Sequence, residues 1–182
     1  MTALITDILM ISRLEGNDVV EKKADIALRP AVEEICKSFS PLANEHRVML
    51  EMQCETLCVH MSQKHIEQLI GNLISNAIKY NHEGGTVDVL IRRQENLLVI
   101  TVEDSGIGIS KEDEKHIFER FYRVDKGRSR KIGGTGLGLS IVKHIVRYYQ
   151  GKIDLFSREN IGTTITVTLP DVIVDEPKDA AK

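Results

Sequence analysis

Between residues 62 and 81 the apolar positions Ile66, Leu69, Ile70, Leu73, Ile74, Ala77 and Ile78 recur at intervals that place them on one broad helix face. Ser62 stands at the N-cap position, so the pattern predicts a helix over 62–81. A second helical pattern over 30–45 opens on Pro30, which suits a first turn. A third, over 136–150, is expected to close at Gly151. Leu4, Ile5, Ile8, Leu9 and Ile11 give helical spacing over 1–15, stopped by Gly16-Asn17-Asp18. Strands are predicted at 48–52, 57–60, 86–93, 97–103, 152–157 and 163–169, with a short extended stretch at 25–29. Gly84-Gly85 reads as a turn and Gln94-Glu95-Asn96 as a hairpin connection. Residues 111–121 read as a short helix, 122–135 as a long mobile loop, and 171–182 as a frayed tail after Pro170. This order predicts an α/β (α+β) two-layer sandwich, helices covering one face of a mixed, mostly antiparallel sheet.

Composition narrows the class. A chain of 182 residues with 42% hydrophobic and 28% charged positions suits one globular domain and excludes collagen, a disulfide mini-protein and a disordered acidic tail. The formal net charge of -3 gives no reason to expect a nucleic-acid partner. No apolar run approaches the ~20 residues of a bilayer span, and the N-terminus lacks a signal-peptide pattern. Cys36, Cys54 and Cys58 imply no disulfide framework, and Cys54, Cys58 and His60 match no common zinc spacing. The expected setting is reduced and cytoplasmic. Glycine changes the picture: seven of the 13 fall within 106–138, a density expected where backbone approaches a ligand.

Candidate chemistry clusters around those glycines. On the predicted helix 62–81, Asn72, Asn76, Lys79 and Glu83 share one stripe, with Tyr80 beside them. Two asparagines one turn apart offer neutral oxygens to a hard cation, a lysine meets phosphate, and a tyrosine lies against a planar base. The same stripe also fits an ordinary solvated face. Leu98, Ile100, Val102 and Asp104 share one strand parity, which carries a carboxylate to the buried face, where it needs a donor. An adenine amine is one such donor, and capping of Gly106 is the structural alternative. Gly106 and Gly108 follow, where a flat base could press on the backbone. Gly133-Gly134-Thr135-Gly136-Leu137-Gly138-Leu139-Ser140 opens a helix and suits an anion, although it is neither a P-loop nor a dinucleotide fingerprint. Between these segments, 120–131 carries six basic residues and one acid, expected to form a lid rooted on Phe118 and Phe121.

Asn72-Leu73-Ile74-Ser75-Asn76-Ala77-Ile78-Lys79-Tyr80 resembles the N box of bacterial sensor histidine kinases. Residues 104–109 resemble their G1 box, 118–125 the F box and 134–138 the G2 box, with wording closest to PhoR-type and WalK-type members. The resemblance implies the Bergerat ATP-binding fold shared with gyrase, Hsp90 and MutL. It implies Mg²⁺ on Asn72 and Asn76, phosphate on Lys79, base or ribose along Tyr80, and the adenine amine on Asp104. Gly106, Gly108 and Ile109 would shape the base pocket, with Tyr122 a further nucleotide contact. Thr135, Gly136, Leu137, Gly138 and Leu139 would cap the phosphates. Arg123, with Asn72, would be catalytic, stabilising charge on the γ-phosphate during transfer.

One departure matters. A histidine kinase phosphorylates a histidine followed by an acid, on a helical hairpin; here only His82 precedes an acid, within the turn His82-Glu83-Gly84-Gly85. Residues 1–16 resemble only the end of that hairpin, leaving 17–170 as the catalytic domain and 171–182 as tail. The expected partners are the missing hairpin and a response regulator, with membrane attachment only through a parent protein. The chain alone is expected to be largely monomeric, to bind ATP and Mg²⁺, and not to phosphorylate itself. The alternatives are a gyrase/Hsp90-type ATPase, which would carry a glutamate base where Asn72 stands, an anti-sigma-type serine kinase, and a nucleic-acid module using 120–131.

Overall fold

The computed structural model describes residues 22–124 and 135–174. Two sheets organise them. A five-stranded sheet runs in the order β2 (Met49–Cys54), β4 (Thr86–Gln94), β5 (Leu97–Asp104), β7 (Gly162–Pro170) and β6 (Lys152–Arg158). Only β2–β4 pairs in parallel; the β4–β5, β5–β7 and β6–β7 ladders are antiparallel. A small sheet joins β1 (Ala24–Ala27), β3 (Cys58–Met61) and β8 (Ile173–Val174), all antiparallel. The predicted two-layer arrangement is present, with this second sheet added.

Three helices supply the other layer: α1 (Leu28–His46), α2 (Gln63–Lys79) and α3 (Gly138–Tyr148). The apolar stripe of α2 is buried throughout, from Ile66 to Ile78. It meets Leu98, Ile100 and Val102 of β5, Val167 and Leu169 of β7, and Ile141, Val142 and Ile145 of α3 in one core. Each fully buried Leu or Ile there contributes about 1.5–3 kcal/mol over an exposed one. The helix–strand alternation of the sequence is therefore one packing solution: period-two residues below, a 3.6-period stripe above.

Four local expectations are corrected. Ser62 precedes α2, but its side chain makes no cap; instead its buried backbone N–H donates to Tyr149 Oη at 3.0 Å. Residues 111–121 contain only a 3₁₀ turn, Asp113–Lys115, because Ser110 and Asp113 close a tight local ring and Phe121 turns the chain at φ 62°. The left-handed residue after α3 is Gln150 (φ 55°), not Gly151; Gly151 is needed because an added Cβ would lie 2.4 Å from the Thr168 carbonyl oxygen. Pro170 does not begin a tail: Asp171 turns at φ 54°, Val172 is buried, and Ile173–Val174 joins β3. The predicted helix at 1–15, most of the predicted loop and residues 175–182 lie outside the described residues.

Candidate functional site

The site is built where the C-terminal half of α2, the end of β5 and the start of α3 converge. Asn72, Asn76, Lys79 and Tyr80 are all half-buried along α2 and its end. The side-chain N–H of Asn72 donates to the Gln68 carbonyl one turn earlier, at 2.8 Å. That bond settles the amide's orientation and turns its carbonyl oxygen outward. The oxygen faces Gly138, where an added Cβ would lie only 2.8 Å away. Glycine at the first position of α3 therefore leaves room beside a carboxamide oxygen. Glu83, expected on the same stripe, lies past the helix end and pairs with Arg47 instead.

Helix α3 begins without a side-chain cap: Leu137 holds the N-cap position and has no side-chain oxygen. The first turn of this 11-residue helix has no side-chain cap, and Gly138 brings it beside the Asn72 oxygen; a helix start of this kind attracts anionic oxygens. Thr135 Oγ1 accepts from the Leu137 N–H at 3.4 Å, Leu137 is buried, and Leu139 packs partly buried against the core. Gly136 adopts φ 73°, and a Cβ there would strike the Phe121 backbone at 2.9 Å. Its carbonyl accepts from the Phe121 N–H at 2.9 Å, clipping the two sides of segment 125–134 together. Gly127, Gly133 and Gly134 lie outside the described residues.

Asp104 ends β5 with its partly buried carboxyl aligned with Leu98, Ile100 and Val102. Oδ1 accepts from the Gly106 N–H at 2.8 Å, so the structural role foreseen for this aspartate is present. Burial pushes its pKa up from 3.8 to about 6, opposed by backbone donation from Gly106 and Thr163. A carboxyl so poised gains from one further donor that favours its charged form. The glycines after it approach protein rather than open space. A Cβ on Gly106 would lie 2.3 Å from the Tyr80 carbonyl oxygen, and one on Gly108 (φ 67°) 2.0 Å from that of Arg158. Their reason is close backbone packing, which lets the loop bend tightly under the end of α2. Ile107 N–H donates to the Tyr80 carbonyl at 3.0 Å, tying the two segments.

Three residues that the sequence did not single out hold this loop. Ser157, fully buried, accepts from the Ile109 N–H at 2.9 Å and meets Thr163 Oγ1 at 2.9 Å. Asn81 donates to the Thr86 carbonyl at 2.9 Å, and Ser105 Oγ accepts from the Thr86 N–H at 2.8 Å. Asn81 bonds locally, but Ser105 and Ser157 reach partners 19 and 48 residues away that only the sheet register brings close.

Tyr122 is tied to Asp113, its hydroxyl donating to Oδ1 at 2.6 Å. Phe121 is 59% exposed and so is not buried in apolar surface as expected, whereas Phe118 is half-buried beside buried Ile117. A recess of about 380 Å³ opens against Glu119, Phe121, Tyr122 and Arg123. On the opposite, open face of the sheet, Glu51, Asp88 and Glu103 stand side by side across β2, β4 and β5. Among the described residues no cluster of His, Cys, Asp or Glu suits a metal.

The family profile described as "Histidine kinase-, DNA gyrase B-, and HSP90-like ATPase" matches residues 61–173. The chain is 41% identical over 173 residues to the sensor histidine kinase WalK of Bacillus subtilis, covering 93% of this chain and 28% of that protein. It is 38% identical over 172 residues to the sensor histidine kinase RppB of Synechocystis, covering 93% and 38%. It thus spans well under half the length of these relatives. The catalytic domain of the histidine kinase ThkA superposes with a TM-score of 0.71 at 26% identity, over 82% of this chain and 95% of that one. ShkA, solved full-length with AMPPNP, shares the fold at a TM-score of 0.83 and 21% identity, over 94% of this chain and 36% of that one.

Proposed function

The chain belongs to the family of histidine kinase-, DNA gyrase B- and HSP90-like ATPases, and from that premise we propose that it is the catalytic domain of a two-component sensor histidine kinase. In this reading it binds Mg²⁺-ATP and passes the γ-phosphoryl to a histidine on a helical hairpin, for relay to a response regulator. The observation that carries the reading is the Asn72 oxygen facing the uncapped first turn of α3 across Gly138.

The donor set fits the proposed ligands. Asn72 and Asn76 would hold Mg²⁺ through neutral amide oxygens, which leaves the ion's charge for phosphate. Lys79 would meet a phosphate, with Thr135, Gly136, Leu137, Gly138 and Leu139 receiving the remaining phosphate oxygens at the helix start. Asp104 would accept from the adenine amine, Tyr80 and Ile109 would flank the base, and Tyr122 would close its side. Bound Mg²⁺-ATP supplies the transferable phosphoryl group, and Arg123 would balance the charge gathering on it. Asn72 stands where a hydrolytic relative needs a carboxylate base, and a carboxamide cannot abstract a proton. Slow loss to water favours transfer to a partner.

We assign residues 17–170 to this domain, with β8 running on to 174, and residues 1–16 to the hairpin's end. Among the described residues no helix is long and apolar enough to cross a membrane. The kinase reading puts the domain on the cytoplasmic side. The test is incubation with γ-labelled Mg²⁺-ATP, with and without a histidine-bearing hairpin. Acid-labile label on the hairpin alone is expected; label on the chain's own histidines, or rapid phosphate release without transfer, would overturn the reading.

A further inference from the structure

We propose that Asp113 is a positioning residue for phosphoryl transfer, acting through Tyr122 on the adjoining Arg123. This rests on the kinase reading above, in which Arg123 serves the γ-phosphate.

Both oxygens of Asp113 are engaged. Oδ1 accepts from the Tyr122 hydroxyl at 2.6 Å and Oδ2 from the Ser110 hydroxyl at 2.6 Å. Ser110 Oγ in turn accepts the Asp113 backbone N–H at 3.1 Å. These bonds hold the Asp113 pKa below the ordinary carboxylate range and push that of the Tyr122 phenol up. At neutral pH the pair is therefore a charged acceptor and a neutral donor, the stronger kind of hydrogen bond.

The bond joins two ends of a loop. On one side Ile109 is fixed to the sheet through Ser157 Oγ at 2.9 Å, and Ser110 follows directly. On the other, Phe121 turns the chain at φ 62° and its N–H reaches Gly136 at 2.9 Å. Between them the turn is pinned by Ile117, whose N–H donates to the Asp113 carbonyl at 3.0 Å. The His116 ring lies 5.3 Å from that of Tyr122, leaving the phenol little freedom. Continuous contacts thus run from buried Ser157 through Ile109, Ser110, Asp113 and Tyr122 to Arg123. A long arginine needs such a fixed root, because a misplacement of about 1 Å at a reacting centre can cost about a hundredfold in rate. Asp113 and Tyr122 are only partly buried, so their bond governs local placement more than global stability.

The test compares Asp113→Ala, Asp113→Asn and Tyr122→Phe with the unmodified chain and Arg123→Ala. Three quantities are read: affinity for Mg²⁺-AMPPNP, melting temperature, and the rate of transfer to a supplied hairpin at saturating ATP. We expect Asp113→Ala and Tyr122→Phe each to slow transfer at saturating ATP about tenfold or more with melting unchanged, and Asp113→Ala to change affinity less than about threefold. The double variant should be no slower than Asp113→Ala alone, since that substitution already removes the bond that Tyr122→Phe deletes. Asp113→Asn, whose amide oxygen still accepts from Tyr122, should recover most of the rate. Unchanged transfer in Asp113→Ala, parallel loss of affinity and rate, additive defects, or no rescue by asparagine would overturn the proposal. Absence of transfer by the unmodified chain would overturn the kinase reading and this proposal with it. Transfer lost in Arg123→Ala but intact in Asp113→Ala would overturn the positioning role alone.

Discussion

The carboxyl of Asp104 titrates where an experiment can reach it, and Asp104→Asn is the matching perturbation. Burial raises its pKa from 3.8 to about 6, against the backbone donors of Gly106 and Thr163. The unliganded domain therefore holds it ionised at neutral pH and protonated in mild acid. An adenine amine donating to this carboxylate favours the charged form, so binding draws the pKa back towards ~4. With a free value of about 6 and a bound value of ~4, affinity falls about tenfold, or ~1.4 kcal/mol, between about pH 7 and about pH 5. Stability without ligand runs the other way. The folded chain binds more protons than the unfolded one between 3.8 and about 6, so the contribution of Asp104 to stability is lost as pH rises through that window. Calorimetry of Mg²⁺-AMPPNP at the two pH values, in two buffers of different ionisation heat, measures both affinity and protons exchanged. Asp104→Asn is the reference, because titration of the nucleotide's phosphates is common to both proteins. The same pH slope in both, or no proton release by the unmodified chain, would refute the adenine assignment.

Further expectations follow from the same contacts. Asn76→Ala should weaken binding of Mg²⁺-AMPPNP about tenfold or more while leaving Mg²⁺-free binding of adenosine within about twofold, since one metal donor is lost and the base pocket is untouched; titrations with and without chelator check this. Gly108→Ala should destabilise by about 2 kcal/mol or more in urea unfolding, because φ is 67° and the Arg158 carbonyl oxygen would lie 2.0 Å from the new Cβ. Ser157→Ala should cost about 1–3 kcal/mol by leaving the Ile109 N–H and Thr163 hydroxyl short of a partner, measured the same way.

Much of this architecture is legible before any coordinates. The stripe from Ile66 to Ile78 and the alternation around Leu98–Ile100–Val102 follow from local period and lie where expected, while α3 starts at Gly138, two residues after the expected 136. What escapes is long-range. Nothing near β2 announces parallel pairing with β4, nothing after Pro170 announces a return to β3, and nothing near Ser62 announces that its backbone N–H donates to Tyr149, 87 residues away. Ser105 and Ser157 resemble turn residues until the sheet register gives each a fixed partner. The glycines show a subtler limit. Their density coincides with the candidate site, yet Gly106 and Gly108 are required by the Tyr80 and Arg158 carbonyls. Composition can announce close approach without saying what is approached.

The central claim is that metal and phosphate sit between α2 and the start of α3. Replacing Mg²⁺ by Mn²⁺ with AMPPNP, and mapping paramagnetic broadening of backbone and side-chain amides by NMR, tests it most directly. Broadening should be strongest at the side-chain amides of Asn72 and Asn76 and at the backbone of Gly138 and Leu139. Broadening centred on Glu51, Asp88 and Glu103 across the open sheet face, or none beyond that of free Mn²⁺, would contradict it.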